Sequence, residues 1–193
     1  MKKTHLLALC MFLGMAVPTR AATYEVDSDH STVMFKVRHL LGKVSGRFDK
    51  YKGTFDYDSK NLQMFKASAT IDALSINTNT PKRDDHLRSP DFFDVKQFPT
   101  LSFVSKGVTD HKGGKGKLKG NLTMHGITKP VVFDIEFIGE AKDPYGNERA
   151  SVSAMTTVKR ADWGLTWNEA IETGGVLVGE DVEIILEIEG VKP

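Results

Sequence analysis

Hydrophobic and polar residues alternate along most of this chain with a period of two. In "TVMFKVRH" Val33, Phe35, Val37 and His39 fall on one side, and Thr32, Met34, Lys36 and Arg38 on the other. "KASATIDA" sets Ala67, Ala69, Ile71 and Ala73 against Lys66, Ser68, Thr70 and Asp72. "KLKGNLTMHG" sets Leu118, Gly120, Leu122 and Met124 against Lys117, Lys119, Asn121 and Thr123. "VVFDIEF" turns Val131, Phe133, Ile135 and Phe137 one way, and "DVEIILEIEG" does the same with Val182, Ile184, Leu186 and Ile188. One wet and one buried face per segment is the mark of a half-buried strand.

With three further stretches the pattern predicts about eight strands. They fall near 32–40, 43–57, 64–74, 100–109, 115–124, 129–140, 149–160 and 181–191. Gly42, Asp58-Ser59, "DHKGGKG" at 110–116, His125-Gly126 and "DPYGNE" at 143–148 supply turn chemistry between them. Consecutive strands joined by short turns build an antiparallel meander. Its single hydrophobic face is covered if the sheet curls into an all-β, eight-stranded antiparallel barrel. A two-layer sandwich is the alternative.

Two segments break the period. In "PKRDDHLRSPDFF" Thr80 and Ser89 can each cap a helix, with Pro81 and Pro90 at the first helical positions. Short helical segments are therefore expected around 81–94. A long glycine-rich loop is expected around 164–180; its "TWNEAIETGGVLVGE" part is placed over an opening, with Ile171, Val176, Leu177 and Val178 as an apolar lid.

The inward set mixes large and small. Ala67, Ala69 and Ala73 on one strand, Ala150, Val152 and Ala154 on another, and Gly46 and Gly120 face Phe35, Phe48, Phe55, Phe103, Phe133 and Phe137. Alternation of this kind fills a solid core. It also leaves an elongated apolar gap if two small-residue strands form one wall, and an eight-stranded barrel is just wide enough for one slender ligand.

Composition narrows the picture. Lys2 and Lys3 precede the apolar run "LLALCMFLGMAV", which is too short for a permanent span, and Pro18 to Ala22 offers small residues for cleavage. Residues 1–21 are expected to be a signal peptide, and 22–193 a single barrel domain in the periplasm or secreted. Cys10, the only cysteine, lies in that segment, so the mature chain is left without a thiol or disulfide. Loss of Lys2, Lys3 and Arg20 leaves 23 basic against 25 acidic residues, with no bias toward nucleic acid and no stable membrane insertion expected.

"DSDHSTVMFKVRHLL", "GRFDKYKGTFDYD", "RDDHLRSPDFFDVKQFPTLSF", "GNLTMHGITKPV" and "ADWG" together resemble the YceI family of secreted bacterial proteins, over almost all of Thr23 to Lys192. The resemblance implies a lipocalin-like barrel whose long pocket holds a polyisoprenoid or similar lipid, a periplasmic or extracellular location, and often a homodimer. It implies no catalytic residues. With the inward pattern it nominates Phe35, Val37, His39, Phe48, Phe55, Ala67, Ala69, Ile71, Leu101, Phe103, Leu122, Phe133, Ile135, Val152, Ala154, Ile184 and Leu186 as walls of a ligand site. Trp163 and Trp167 are either core aromatics or lining of the entrance, and Arg38 and Arg83, with His39, are candidates for the head group. An isoprenoid-type lipid is the partner expected, without a cofactor.

Other chemistry is open but less favoured. Asp84, Asp85, His86 and Arg88 could form an acid–base set in an enzyme acting on a lipid, but no nucleophile or metal set accompanies them. The same charges serve equally as ties between a helical turn and its neighbours, with Leu87, Phe92 and Phe93 buried. His30, His39, His86, His111 and His125 lack metal-ligand spacing. Lys112, Lys115, Lys117 and Lys119 form either an anion-attracting patch or a solubilising hairpin. A solid-cored interaction module is the remaining rival.

Overall fold

The computed structural model describes residues 21–172 and 174–193. The signal segment and Cys10 lie outside the described residues, apart from Ala21. The chain forms β1 (Ala22–Val26), β2 (Thr32–His39), β3 (Gly42–Phe48), β4 (Tyr51–Tyr57), β5 (Lys66–Asp72), β6 (Ile76–Asn77), helix α1 (Pro81–Arg88), β7 (Thr100–Lys112), β8 (Lys115–Met124), β9 (Ile127–Lys142), β10 (Glu148–Lys159) and β11 (Val178–Val191). All pairings are antiparallel.

Eleven strands reduce to eight ribbons. β1 and β2 run one after the other along β11, with Glu25 opposite Val191 and Phe35 opposite Ile184. β3 and β4 run in the same way along that ribbon, and β5 and β6 along the next. From there β7, β8, β9, β10 and β11 follow in order, and β11 returns to β1 and β2. The sheet is thus a closed eight-stranded antiparallel barrel, as its period-two pattern predicts, and full closure leaves no long exposed edge.

The ribbon interruptions were not visible in the alternation. Each has an aspartate that engages backbone or polar side chains. Asp27 Oδ1 accepts from the Asp29 amide (3.0 Å) and Asp72 Oδ1 from the Leu74 amide (2.9 Å). Between β3 and β4, Asp49 accepts from Arg47 Nε and Asn77 Nδ2. Such local bonds compete with ladder pairing and bend the strand. The expected strand 43–57 is therefore two strands, and the first strand, β1, begins earlier than the pattern suggested.

The turn at His125-Gly126 has both residues at positive φ (50° and 73°), the two-residue hairpin geometry that matches strand twist. Gly113 and Gly114 (60° and 80°) do the same between β7 and β8. The region around 110–116 is therefore a tight hairpin, as its turn residues predict. On its outer face Lys117 meets Asp134 (2.5 Å) and Lys115 meets Glu136 (3.2 Å), so much of the lysine patch is neutralised. Helix α1 forms as expected, but the second cap-proline pair, Ser89-Pro90, produces a run of turns and not a second helix.

One end of the barrel is filled by aromatic rings. Tyr24 stacks on Phe55 (centroids 5.4 Å), Phe55 meets Phe65 (5.8 Å), and Phe65 meets Phe137 edge-on (5.2 Å), with Tyr57 against Phe137 (6.1 Å). The other end carries α1, the turns that follow it, and the loop between β10 and β11.

Candidate binding cavity

Between the aromatic floor and α1 the barrel is hollow. The cavity has a volume of about 600 Å³, within the range of small-molecule sites. Phe35 and Val37 of β2, Phe48 of β3, Phe55 of β4, and Ala67, Ala69 and Ile71 of β5 border it. So do Leu101 and Phe103 of β7, Leu122 of β8, Phe133 and Ile135 of β9, Val152 and Ala154 of β10, and Ile184 and Leu186 of β11. Ala73 and Ala150, also of inward parity, are sealed in the core. Several wall residues, among them Val33, Phe35, Val37, Val182, Ile184 and Leu186, are only half-buried although they point inward. In a filled barrel such positions would be sealed by their neighbours.

Glycines shape two walls. A Cβ on Gly46 would lie 2.3 Å from Phe35 Cζ, and one on Gly120 would lie 2.4 Å from Phe103. Each ring lies over the missing side chain, which keeps it flat against the wall and out of the lumen. Met34, Lys52, Thr54 and Ser68, of the opposite parity, also border the cavity.

The cavity reaches the surface beside α1, where exposed His39, Thr80 and Lys82 border it. Arg83 of α1 donates from Nε to Thr78 Oγ1 (2.7 Å) and from Nη2 to Thr78 O (2.9 Å) and Thr80 Oγ1 (3.0 Å). Buried Asp84 accepts from the Thr78 amide (2.8 Å) and Thr78 Oγ1 (2.5 Å). Thr80 thus supplies its carbonyl to the helix start but no side-chain cap. Arg88 holds the carbonyls of Leu74 (2.9 Å) and Ile76 (2.8 Å) and pairs with Asp85. The charge-dense stretch ties α1 to β6 and the turn before it.

His86 lies between Phe92 and Trp167, edge-on to both (5.0 and 4.8 Å), with Nε2 3.0 Å from Asp91 Oδ2. Phe92 is buried and Phe93 half-buried, and both border the cavity with Leu87. Trp167 borders it as well. Of the expected lid, Leu177 and Val178 reach the cavity, whereas Ile171 and Val176 do not.

Two candidates stand elsewhere. Trp163 is 2% exposed and donates from Nε1 to Leu122 O (3.1 Å), so it is a core residue and not part of the cavity wall. Arg38 has even parity on β2 and points outward, donating from Nη1 to Leu40 O (2.9 Å). Arg160 was missed, although it continues the inward parity of Val152, Ala154 and Val158. It borders the cavity and is 6% exposed. Its Nε donates to Gly179 O (2.9 Å), and Nη1 to Leu165 O (2.5 Å) and Trp167 O (2.9 Å). Burial pulls its pKa down, with Glu180 opposing.

Outside the cavity, at the floor end, Asp27, His30 and Glu189 bring three ligand-type atoms within 4.8 Å. A guanidinium already serves them: Arg149 Nη1 donates to Asp27 (2.8 Å) and Glu189 (2.5 Å), and Nε to Asp143 (2.9 Å). The bonds from Arg149 and then His30 hold Asp27 down to about 2. Asn147, then Arg149, hold Asp143 well below the usual carboxylate range. This is a clasp joining β1, β10, β11 and the 143–147 turn.

Among the described residues no helix is long and apolar enough to cross a membrane. Residues 24–190 match the model of the YceI-like domain family. The chain is 37% identical to a UPF0312 protein of Vibrio cholerae over 197 residues, with all of both chains covered. Its fold is similar to the crystal structure of a Campylobacter jejuni YCEI protein, at a TM-score of 0.71 and 32% identity over 82% of this chain and 91% of that one. A polyisoprenoid binding domain from Saccharophagus degradans shares the fold at a TM-score of 0.65 and 16% identity, covering 90% of this chain and 100% of that one.

Proposed function

This chain belongs to the YceI-like domain family, and on that footing we propose that it binds, sequesters or carries a long-chain amphiphile inside its barrel. The observation that carries the reading is the apolar cavity of about 600 Å³, floored by aromatic rings and reaching the surface beside α1. At about 30 Å³ per water-sized group, it has room for roughly twenty such groups. Burial of each methylene contributes about 0.8 kcal/mol, so a dozen of them supply about 10 kcal/mol before ordering costs. The Saccharophagus domain is a polyisoprenoid binder by name; a prenyl or comparably slender alkyl tail suits this cavity on the same physical grounds.

We read the chain as a binding protein rather than an enzyme. His86 has its only side-chain hydrogen bond among the described residues with Asp91, and its ring is packed between Phe92 and Trp167. The basic, apolar amino-terminal segment supports export and action in the periplasm or outside the cell.

Native mass spectrometry of the mature chain, purified without detergent, tests the reading. A single adduct of lipid mass per chain, recovered by solvent extraction, is expected. Bare protein that also takes up no prenyl or alkyl amphiphile after delipidation would overturn it.

A further inference from the structure

At the mouth, β2 and β3 are joined by a two-residue turn, Leu40-Leu41, between the paired His39 and Gly42. Leu40 has a φ of 52°. That position of a hairpin favours glycine or asparagine, and the turns at Gly113-Gly114 and His125-Gly126 carry glycine. A leucine in left-handed backbone is strained. Burial does not offset the strain: Leu40 is 42% exposed, and Leu41 is fully exposed. Exposed apolar residues elsewhere, such as Val104 and Ile138, lie on strands, where branched side chains suit the sheet. Leu40 and Leu41 stand in a solvated turn and contribute nothing to the core.

A second apolar segment is fastened beside this turn. In the loop between β10 and β11, Ala170 pairs with Val176, and Asn168 closes the base by holding both the amide (2.9 Å) and the carbonyl (2.7 Å) of Val178. The Leu40 amide donates to Leu177 O (2.9 Å). Arg38 donates from Nη1 to Leu40 O (2.9 Å) and from Nη2 to Val176 O (3.4 Å). Arg38, outside the lumen, thus ties the turn to the loop. Leu40, Leu41 and Val176, all exposed, form one apolar rim. The residues next to them in the chain, His39 and Leu177, border the cavity, so the rim is continuous with its opening.

We propose that this rim docks the mouth of the barrel reversibly on a lipid bilayer. The inference rests on the binding reading above: an apolar tail avoids water between bilayer and cavity only where the opening meets the bilayer. A convex tip of free leucine side chains fits the boundary between head groups and acyl chains, and such contact needs no spanning segment. Charge around the opening is mixed, with His39 and Lys82 at the mouth and Glu169 and Glu172 on the loop, all exposed. Docking is therefore driven by apolar insertion and depends little on anionic lipid or on salt.

The test is flotation of the mature chain with vesicles of phosphatidylcholine and phosphatidylethanolamine, with and without phosphatidylglycerol. Wild type is expected to float with both kinds, at low and at high salt. The double variant Leu40→Asn, Leu41→Gly installs a dipeptide that two-residue hairpins prefer. Its melting temperature should hold, while its partition to vesicles falls about tenfold or more. Its uptake of a prenyl or alkyl probe, added as monomer without vesicles, should match wild type. Should the double variant fail to fold, Leu41→Ser alone carries the comparison. Equal flotation of wild type and variant overturns the docking, as does flotation confined to anionic vesicles at low salt. Wild type that floats with no vesicle also overturns it; self-association lost in the variant, read by sedimentation, would then assign the rim to a second copy. Failure of wild type to take up the probe overturns the cavity reading instead, and flotation still decides the docking.

Discussion

Filling the cavity from its wall is the most revealing perturbation. Ala69 stands on β5 between Gly53 and Phe103, is half-buried, and borders the lumen. Ala69→Phe adds six carbons, on the order of 100–200 Å³ by the volume of water-sized groups. That is a sizeable fraction of the 600 Å³ available. A tail of fixed length then loses about four methylene-sized sites, costing about 3 kcal/mol of binding, or about a hundredfold in affinity. Ala69→Leu should fall between the two. The fold should persist, because the new ring occupies empty space instead of displacing packed atoms. Calorimetric titration with a C18 or longer prenyl or alkyl probe reads the affinity, and thermal melting reads the stability. Unchanged affinity in Ala69→Phe, with an intact fold, would refute the placement of the tail in the lumen. A collapse of stability without bound ligand would mean that the wall is already closely packed.

Gly46→Ala should destabilise the chain by about 1–3 kcal/mol, measured by urea unfolding, because its Cβ would meet Phe35 Cζ at 2.3 Å and push the ring inward. Trp163→Phe should cost about 1–3 kcal/mol by leaving buried Leu122 O without its donor, yet leave ligand affinity unchanged in the same titration. The Arg149 clasp makes stability depend on pH. Asp27 and Asp143 have lowered folded-state pKa values, so their contribution is present above about 4, the ordinary aspartate value, and is lost as pH falls toward about 2. Melting temperature followed over that range should drop, and Arg149→Ala should both lower it at pH 7 and flatten the slope; an unaltered slope would count against the clasp.

Parity made the barrel legible. Alternating residues on each strand fixed which side chains enter, and a closed antiparallel sheet follows from many such strands joined by short turns. The same rule placed Arg38 outside, and its candidacy ignored that. It also placed Arg160 inside, one residue past β10. Trp163 illustrates a different gap: an indole near a mouth and an indole in a core look alike until its N–H finds the carbonyl of Leu122. The broken ribbons escaped notice because Asp27, Asp49 and Asp72 act through local side-chain bonds that do not disturb the hydrophobic period. The clasp was invisible for the opposite reason, since it joins residues as far apart as Asp27, Arg149 and Glu189. The hollow could not be settled from the pattern, because large and small inward residues fill a core or leave a gap depending on how the sheet curls.

The hollow is best probed from its own walls. With methyl groups of Ile, Leu and Val isotope-labelled, a prenyl or alkyl amphiphile is titrated into the delipidated chain and followed by NMR. The account predicts shifts and ligand-to-methyl contacts at Val33, Val182, Ile184 and Leu186, which face the lumen, and none at Val132 and Ile138, which are exposed on the outer face. Contacts confined to the outer residues, or no contacts at any probe concentration, would contradict it.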